Sequence, residues 1–219
     1  MCVVTKGRPT MYLIDMDQIS GSIIPHPDLT VHTHGNPVLV PGKLHSAIRL
    51  DGNGQYVDAG DHSKACLGNI EFCRHGLTQS MWIQFRHFRD NMYYMSNGRG
   101  VRVFHKDGNL HVVIEVAGKR WEATVPDLQK DTWYFLEYTW HPEKGVQIFV
   151  NNRLIASREI AVTVQQRQPS EDSLVLIGNA NAADSDSERT FSANGVIDEV
   201  EIWYRDRDNL IAFDHILRG

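Results

Sequence analysis

From about residue 45 onward the chain alternates apolar and polar positions with a period of two, the signature of half-buried β-strands. In "MWIQFRHF" Met81, Ile83 and Phe85 fall on one face and Trp82, Gln84 and Arg86 on the other. "NLHVVIEV" gathers Leu110, Val112, Ile114 and Val116. "TWYFLEYTW" sets Tyr134, Leu136, Tyr138 and Trp140 against Trp133, Phe135 and Glu137, a mixed face that suits the partly solvated side of a sheet. "GVQIFVNNRLIAS" reads as two short strands about an Asn151–Asn152 turn, because asparagine tolerates the positive φ of a tight hairpin. "SLVLIG" and "GVIDEVEIW" close the pattern.

Turn pairs recur at Asp51-Gly52, Asn97-Gly98, Asp107-Gly108 and Asn194-Gly195. Short strands at this spacing predict an all-β sandwich or barrel, of which an antiparallel two-sheet sandwich is the expected form. The only helical pattern is the tail "RDNLIAFDHILRG", where Leu210, Ile211, Phe213 and Leu217 would cover one end as a short C-terminal helix. Gly21 to Lys43, rich in Pro, Gly and His, reads as a long loop. No repeat or linker divides the chain, so residues 1–219 are expected to form a single domain, with 1–9 a flexible start.

Composition narrows the functional classes. A chain of 219 residues with 42% apolar content can bury one sizeable core. The net charge of −5 offers no basic field for a nucleic-acid backbone. No apolar run approaches the ~20 residues that span a bilayer, so direct membrane insertion is not expected. The opening "MCVVTKGRPT" is too polar and too short for a signal peptide; Met1 is expected to be an added start, or the chain a trimmed ectodomain. No Asn-x-Ser/Thr glycosylation site occurs, and the 11 histidines are scattered.

The three cysteines are Cys2, Cys66 and Cys73. A zinc site needs four ligands, usually from two close pairs, and a redox pair usually shows Cys-x-x-Cys spacing; neither pattern is present. A Cys66–Cys73 disulfide fits best, closing a loop between "GQYVDAG" and the strand that starts near Leu77. Two free thiols are the alternative. A closed loop of this size would contribute ~2.5 kcal/mol.

Several stretches, in order, resemble laminin-G-like and pentraxin-like jelly rolls. "MYLIDMDQISGSI" looks like their first strand, and "VPGKLHSAIRLDGNGQYVDAG" like their entry strands. "LTQSMWIQF", "TWYFLEYTWHPEKGVQIFVNNRLIAS", "SLVLIG" and "GVIDEVEIWYR" follow in family order. The Cys-x6-Cys loop before "GLTQSMW" is similar to that of pentraxin/laminin-like domains at the front of some adhesion G-protein-coupled receptors. The resemblance implies an extracellular, non-enzymatic recognition module, often calcium-dependent. Two departures stand out. Where pentraxins tie adjacent strands by a disulfide, the matching positions are Ser80 or Met81 and Leu136. Where they carry a Glu-Gln-Asp ligand run, this chain has Asn179, Ala180, Asn181 and Ala182.

Candidate calcium ligands form two sets. Asp184, Asp186 and Glu188 alternate in "NANAADSDSERTFSANG", with amide oxygens of Asn179 and Asn181 nearby, as a hard oxygen-seeking cation requires. This is not an EF-hand: Arg189 stands where glycine is needed. A shared ion between Asp51 and Asp198 is expected if "RLDG" lies beside "GVIDEVEIW", with Asp58 and Asp61 one turn on; ordinary turn chemistry is the plainer role for these aspartates. His32 and His34 share a strand face, without a third ligand for a transition metal.

A glycosidase would need two carboxylates at defined separation. Glu199 and Glu201 share a strand face, but Asp198 is expected on the opposite one, unlike the retaining jelly-roll pattern. No phosphate loop or Gly-x-Ser-x-Gly elbow occurs. The expected role is therefore non-catalytic recognition or adhesion, with a protein or glycan ligand bound at rim loops and calcium as candidate cofactor. The domain would be part of a larger extracellular protein. A stand-alone lectin is the alternative, a jelly-roll glycoside hydrolase a more distant one, and self-association through a sheet or Cys2 a further option.

Overall fold

The computed structural model describes residues 11–98, 100–165, 174–181 and 190–209. In chain order its first strands are β1 (Met11–Ile14), β2 (Ile23–Ile24), β3 (Val31–His34), β4 (Val38–Pro41), β5 (Ser46–Asp51) and β6 (Tyr56–Asp61). A one-turn 3₁₀ helix (Ile70–Phe72) precedes β7 (Leu77–Phe85), β8 (Met92–Ser96), β9 (Val101–Lys106), β10 (Asn109–Val116) and β11 (Lys119–Val125). The chain continues through β12 (Trp133–His141), β13 (Gly145–Val150), β14 (Arg153–Arg158) and β15 (Val162–Thr163). The last strands are β16 (Leu174–Ile177), β17 (Phe191–Ser192) and β18 (Asn194–Trp203).

Among the described residues these strands make two sheets. The first runs β14-β13-β12-β7-β18-β5-β4, with β1 also on β18; the second runs β15-β11-β10-β9-β8-β16-β6-β3-β2, with β17 on β8. All pairings are antiparallel except β17 with β8. This is a sandwich, as the alternation allows, with the jelly-roll form that the resemblance implies. Its inner faces hold Met81, Ile83, Phe85, Leu136, Tyr138 and Ile148 from one sheet. Val103, Val112, Ile114, Val175 and Ile177 meet them from the other. Each such side chain is worth ~1.5–3 kcal/mol on full burial, so the core fixes which face of every strand turns inward. Leu136 lies directly opposite Met81, both fully buried; besides the backbone ladder, apolar side-chain packing rather than a disulfide joins the strands there. The Asn151–Asn152 hairpin is as expected, with φ of 51° and 63°.

The Gly21–Lys43 expectation is corrected. That stretch holds β2, β3 and β4, not a long loop. In β3 Val31 and Thr33 point inward while His32 and His34 point out, an alternation too short to stand out between Pro and Gly. In β4, Val38 and Leu39 are exposed on a sheet edge that ends at Pro41, where a missing N–H costs nothing. Strands β8 and β9 are buried on both faces, which erases any period of two. At the tail, residues 207–209 are helical; Leu210, Ile211, Phe213 and Leu217, like residues 1–9 and Cys2, lie outside the described residues.

Strand β18 changes partner along its length. Its first half, Asn194–Ile197, pairs with β5, and its second half, Val200–Trp203, pairs with β1. Between them the register against β7 slips at a β-bulge, with Glu199 at φ 49°.

Candidate functional site

Cys66 and Cys73 are disulfide-bonded, closing the loop between β6 and β7. Inside that loop Asn69 caps the 3₁₀ turn, accepting the Glu71 amide at 3.1 Å, and Ile70 is buried in the core. Phe72 is thereby turned outward, 51% exposed. The chain then turns at Gly76, with φ 85°, where a Cβ would meet the Trp140 carbonyl oxygen at 2.4 Å. The segment after β18 is tied to this turn: the Asp206 amide donates to the His75 carbonyl at 3.0 Å, and the Thr78 hydroxyl to the Arg205 carbonyl at 2.7 Å.

A cleft of about 270 Å³ opens here, beside the disulfide, between Phe72, Arg74 and His75 on one side and Tyr204 and Arg205 on the other. Burial pushes the Tyr204 phenol well up, with Tyr12 beside it adding to the shift. Next to the cleft Lys144 binds Asp206 at 2.6 Å and Asp208 at 2.8 Å. Sequence reading missed this set. "EFCRHG" offered an aromatic and two basic residues around a cysteine, but Tyr204 and Arg205 reach them only through the fold.

The Asp51–Asp198 expectation is corrected. The strands are neighbours as foreseen, but Asp51 pairs with Asn194, and Asp198 lies four residues further along β18, ~13 Å at strand spacing. The exposed Asp51 carboxylate accepts the Asn53 amide at 2.9 Å, as a turn aspartate does. Asp198 is fully buried and accepts the amides of Lys43 and Leu44 at 2.8 and 2.9 Å, closing the turn between β4 and β5. Gly42 permits the approach, since a Cβ there would lie 2.7 Å from the same carboxylate oxygen. Burial pushes the Asp198 carboxyl above its ordinary value; the two amides pull it back in part, and Asp17 adds to the rise. Asp17 itself accepts the Ser46 amide at 2.9 Å. These two aspartates serve the turn.

Asp58 and Asp61 also cap local amides, of Gly60 and Ser63, both at 2.8 Å. His32 and His34 share an outer face, where His34 stacks on Tyr56 at 4.4 Å and lies 3.8 Å from Asp58. Among the described residues no three His, Cys, Asp or Glu side chains converge as a metal set. Asp184, Asp186 and Glu188 lie outside the described residues. Asn181 is buried, donating to Ser96 Oγ and the Leu174 carbonyl, both at 2.8 Å.

The bulge corrects the expected facing of the β18 acids. Asp198 stands opposite Trp82 and Glu201 opposite Ser80, so Asp198 and Glu201 share the outer face and Glu199 is the bulged residue. Glu201 accepts the Trp203 indole N–H at 3.2 Å. Glu137, opposite Ser80 from the other side, pairs with Arg207. Burial nevertheless lifts the Glu137 carboxyl above its ordinary value, Arg207 opposing and Glu201 reinforcing the rise. Burial and four neighbouring carboxylates, Asp198 foremost, also raise Glu199.

A laminin-G-type family profile, described as the Concanavalin A-like lectin/glucanases superfamily, matches residues 51–209. No curated protein matches in sequence. The binding domain of Paraclostridial Mosquitocidal Protein 1 is similar in structure, with TM-score 0.61 and 15% identity over 89% of this chain and 49% of that one. The chain thus spans about half the length of that structure. Domain 4 of AbnA, a GH43 extracellular arabinanase from Geobacillus stearothermophilus, in complex with arabinotriose, gives 0.56 and 14% over 88% and 90%. Trypanosoma rangeli sialidase in complex with 2,3-difluorosialic acid gives 0.62 and 10% over 89% and 31%. At these identities the likeness is one of fold.

Proposed function

The chain belongs to the concanavalin A-like lectin/glucanases superfamily, and from that premise we propose that it is a non-catalytic extracellular recognition module that binds a glycan or protein ligand through the rim at its disulfide end. The observation that carries this reading is the open cleft there, with an exposed aromatic wall, a few polar groups and a backbone pinned by the disulfide. Concave sites of that composition are the usual form of ligand pockets. The disulfide favours an oxidising compartment, since cytosolic thiols are kept reduced. The arabinotriose complex of the similar AbnA domain supports a glycan as ligand.

Three of the acids on and beside β18 are otherwise engaged, which supports a role without catalysis. Asp198 is held by two amides and buried, Glu201 by Trp203, and Glu137 by Arg207. The test is incubation with a panel of insoluble polysaccharides, following both retention of the protein and release of reducing ends. Retention without release is the expected result. Steady release that Glu201→Gln abolishes would overturn the non-catalytic reading.

A further inference from the structure

We infer that the cleft beside the disulfide takes an acidic sugar residue, one that carries a carboxylate or a sulfate; this rests on the reading of the domain as a recognition module. Arg74, His75 and Arg205 all line the cleft, and no carboxylate does. Among the described residues none of the three enters an ion pair. Of the acids next to the lining residues, Asp206 is taken, together with Asp208, by Lys144, while Glu71, beside Phe72, does not line the cleft. A chain of net charge −5 therefore presents two guanidinium groups outside ion pairs, Arg74 and Arg205, at one concave point with His75 beside them. Arginine suits planar or tetrahedral oxyanions because its guanidinium donates two parallel hydrogen bonds.

The rest of the lining argues for a sugar ring rather than an acidic peptide. Phe72 offers a half-exposed flat face, and the Tyr204 ring stands on the facing side. At about 270 Å³ the cleft lies just below the usual range for ligand pockets, ~300–1,000 Å³, a size that suits one ring with its charged substituent. Because the overall charge repels polyanions, affinity here comes from short contacts, and binding should survive near-physiological salt, where the screening length is ~8 Å.

The experiment titrates the non-reduced protein at that salt with four probes: a hyaluronan tetrasaccharide, a chondroitin sulfate tetrasaccharide, neutral chitotetraose and a tetraglutamate peptide. Amide chemical shifts are followed. The expected result is saturable shifts at Phe72, Arg74, His75 and Arg205 with one or both acidic sugars, and none with chitotetraose or the peptide. Hyaluronan alone would identify a carboxylate site; chondroitin sulfate alone would identify a sulfate site. Arg74→Gln and Arg205→Gln should each weaken binding about tenfold, or ~1.4 kcal/mol, without lowering the melting temperature. Equal binding of chitotetraose, equal binding of tetraglutamate, or unchanged affinity in both arginine variants would overturn the proposal. If no acidic probe binds while neutral polysaccharides still retain the protein, the acidic-sugar site fails and the recognition reading stands. If nothing is retained at all, both fail.

Discussion

Asp198 accepts the backbone amide of Leu44 at 2.9 Å from a position with no exposed surface, 154 residues away in sequence. The same carboxylate oxygen accepts the Lys43 amide. A single side chain on the closing strand thus fixes the turn between the edge strand β4 and its neighbour β5, where β18 changes partner from β5 to β1.

Asp198→Ala should leave two amides without their acceptor, at a cost of ~2–3 kcal/mol. For a domain of this size that lowers Tm by ~4–12 °C. Asp198→Asn keeps an acceptor oxygen and should cost less. A thermal melt in which the alanine variant matches the parent would show that the carboxylate is incidental to the turn.

Acid should unfold the second sheet through Glu122. His111, hydrogen-bonded at 2.6 Å, and Arg120 hold its carboxyl down to about 2, against an ordinary value of 4.5. A depressed carboxyl contributes stability that is complete above the unfolded value and is lost as pH falls through the folded one. Stability should therefore decline between about 4.5 and about 2. Glu122→Gln should flatten that part of the curve in denaturant titrations at a series of pH values; an unchanged slope would count against this pairing.

Met81 and Leu136 face each other across β7 and β12 as direct partners. Opposed residues of an antiparallel pair have Cα atoms ~4.5–5.5 Å apart, within the span of a disulfide. The double variant Met81→Cys/Leu136→Cys should oxidise spontaneously and raise Tm relative to its reduced form. Persistent free thiols at both positions, measured on folded protein, would contradict the register.

Asp51 caps its own turn. Whatever difference in melting temperature exists between EDTA and millimolar calcium, Asp51→Asn should leave that difference unchanged. Its disappearance in the variant would restore Asp51 as a cation ligand.

Much of this architecture was legible because period-two alternation reports on which face is buried. Met81, Ile83 and Phe85 or Leu110, Val112 and Ile114 disclose their side directly. Strands such as β8, buried on both faces, carry no such signal. Adjacency of β5 and β18 was also foreseeable, but their register was not, since alternation does not say how far one strand slides along the next. The β18 bulge did leave a trace: the buried positions change phase from Ile197 to Val200 and Ile202, which a regular strand would not do. The cleft was least visible, because Phe72 and Arg74 are separated from Tyr204 and Arg205 by most of the chain.

The most direct test of the central claim is to compare carbohydrate binding by the non-reduced protein and the Cys66→Ser/Cys73→Ser variant on one array of neutral, carboxylated and sulfated glycans. Removing the bond frees the loop that places Phe72 and Arg74, at a stability cost of ~2–3 kcal/mol. A folded variant that loses the glycans its parent binds is the result expected of recognition at the disulfide end. Identical binding by both proteins would place recognition elsewhere, and an array on which neither binds would contradict the glycan reading itself.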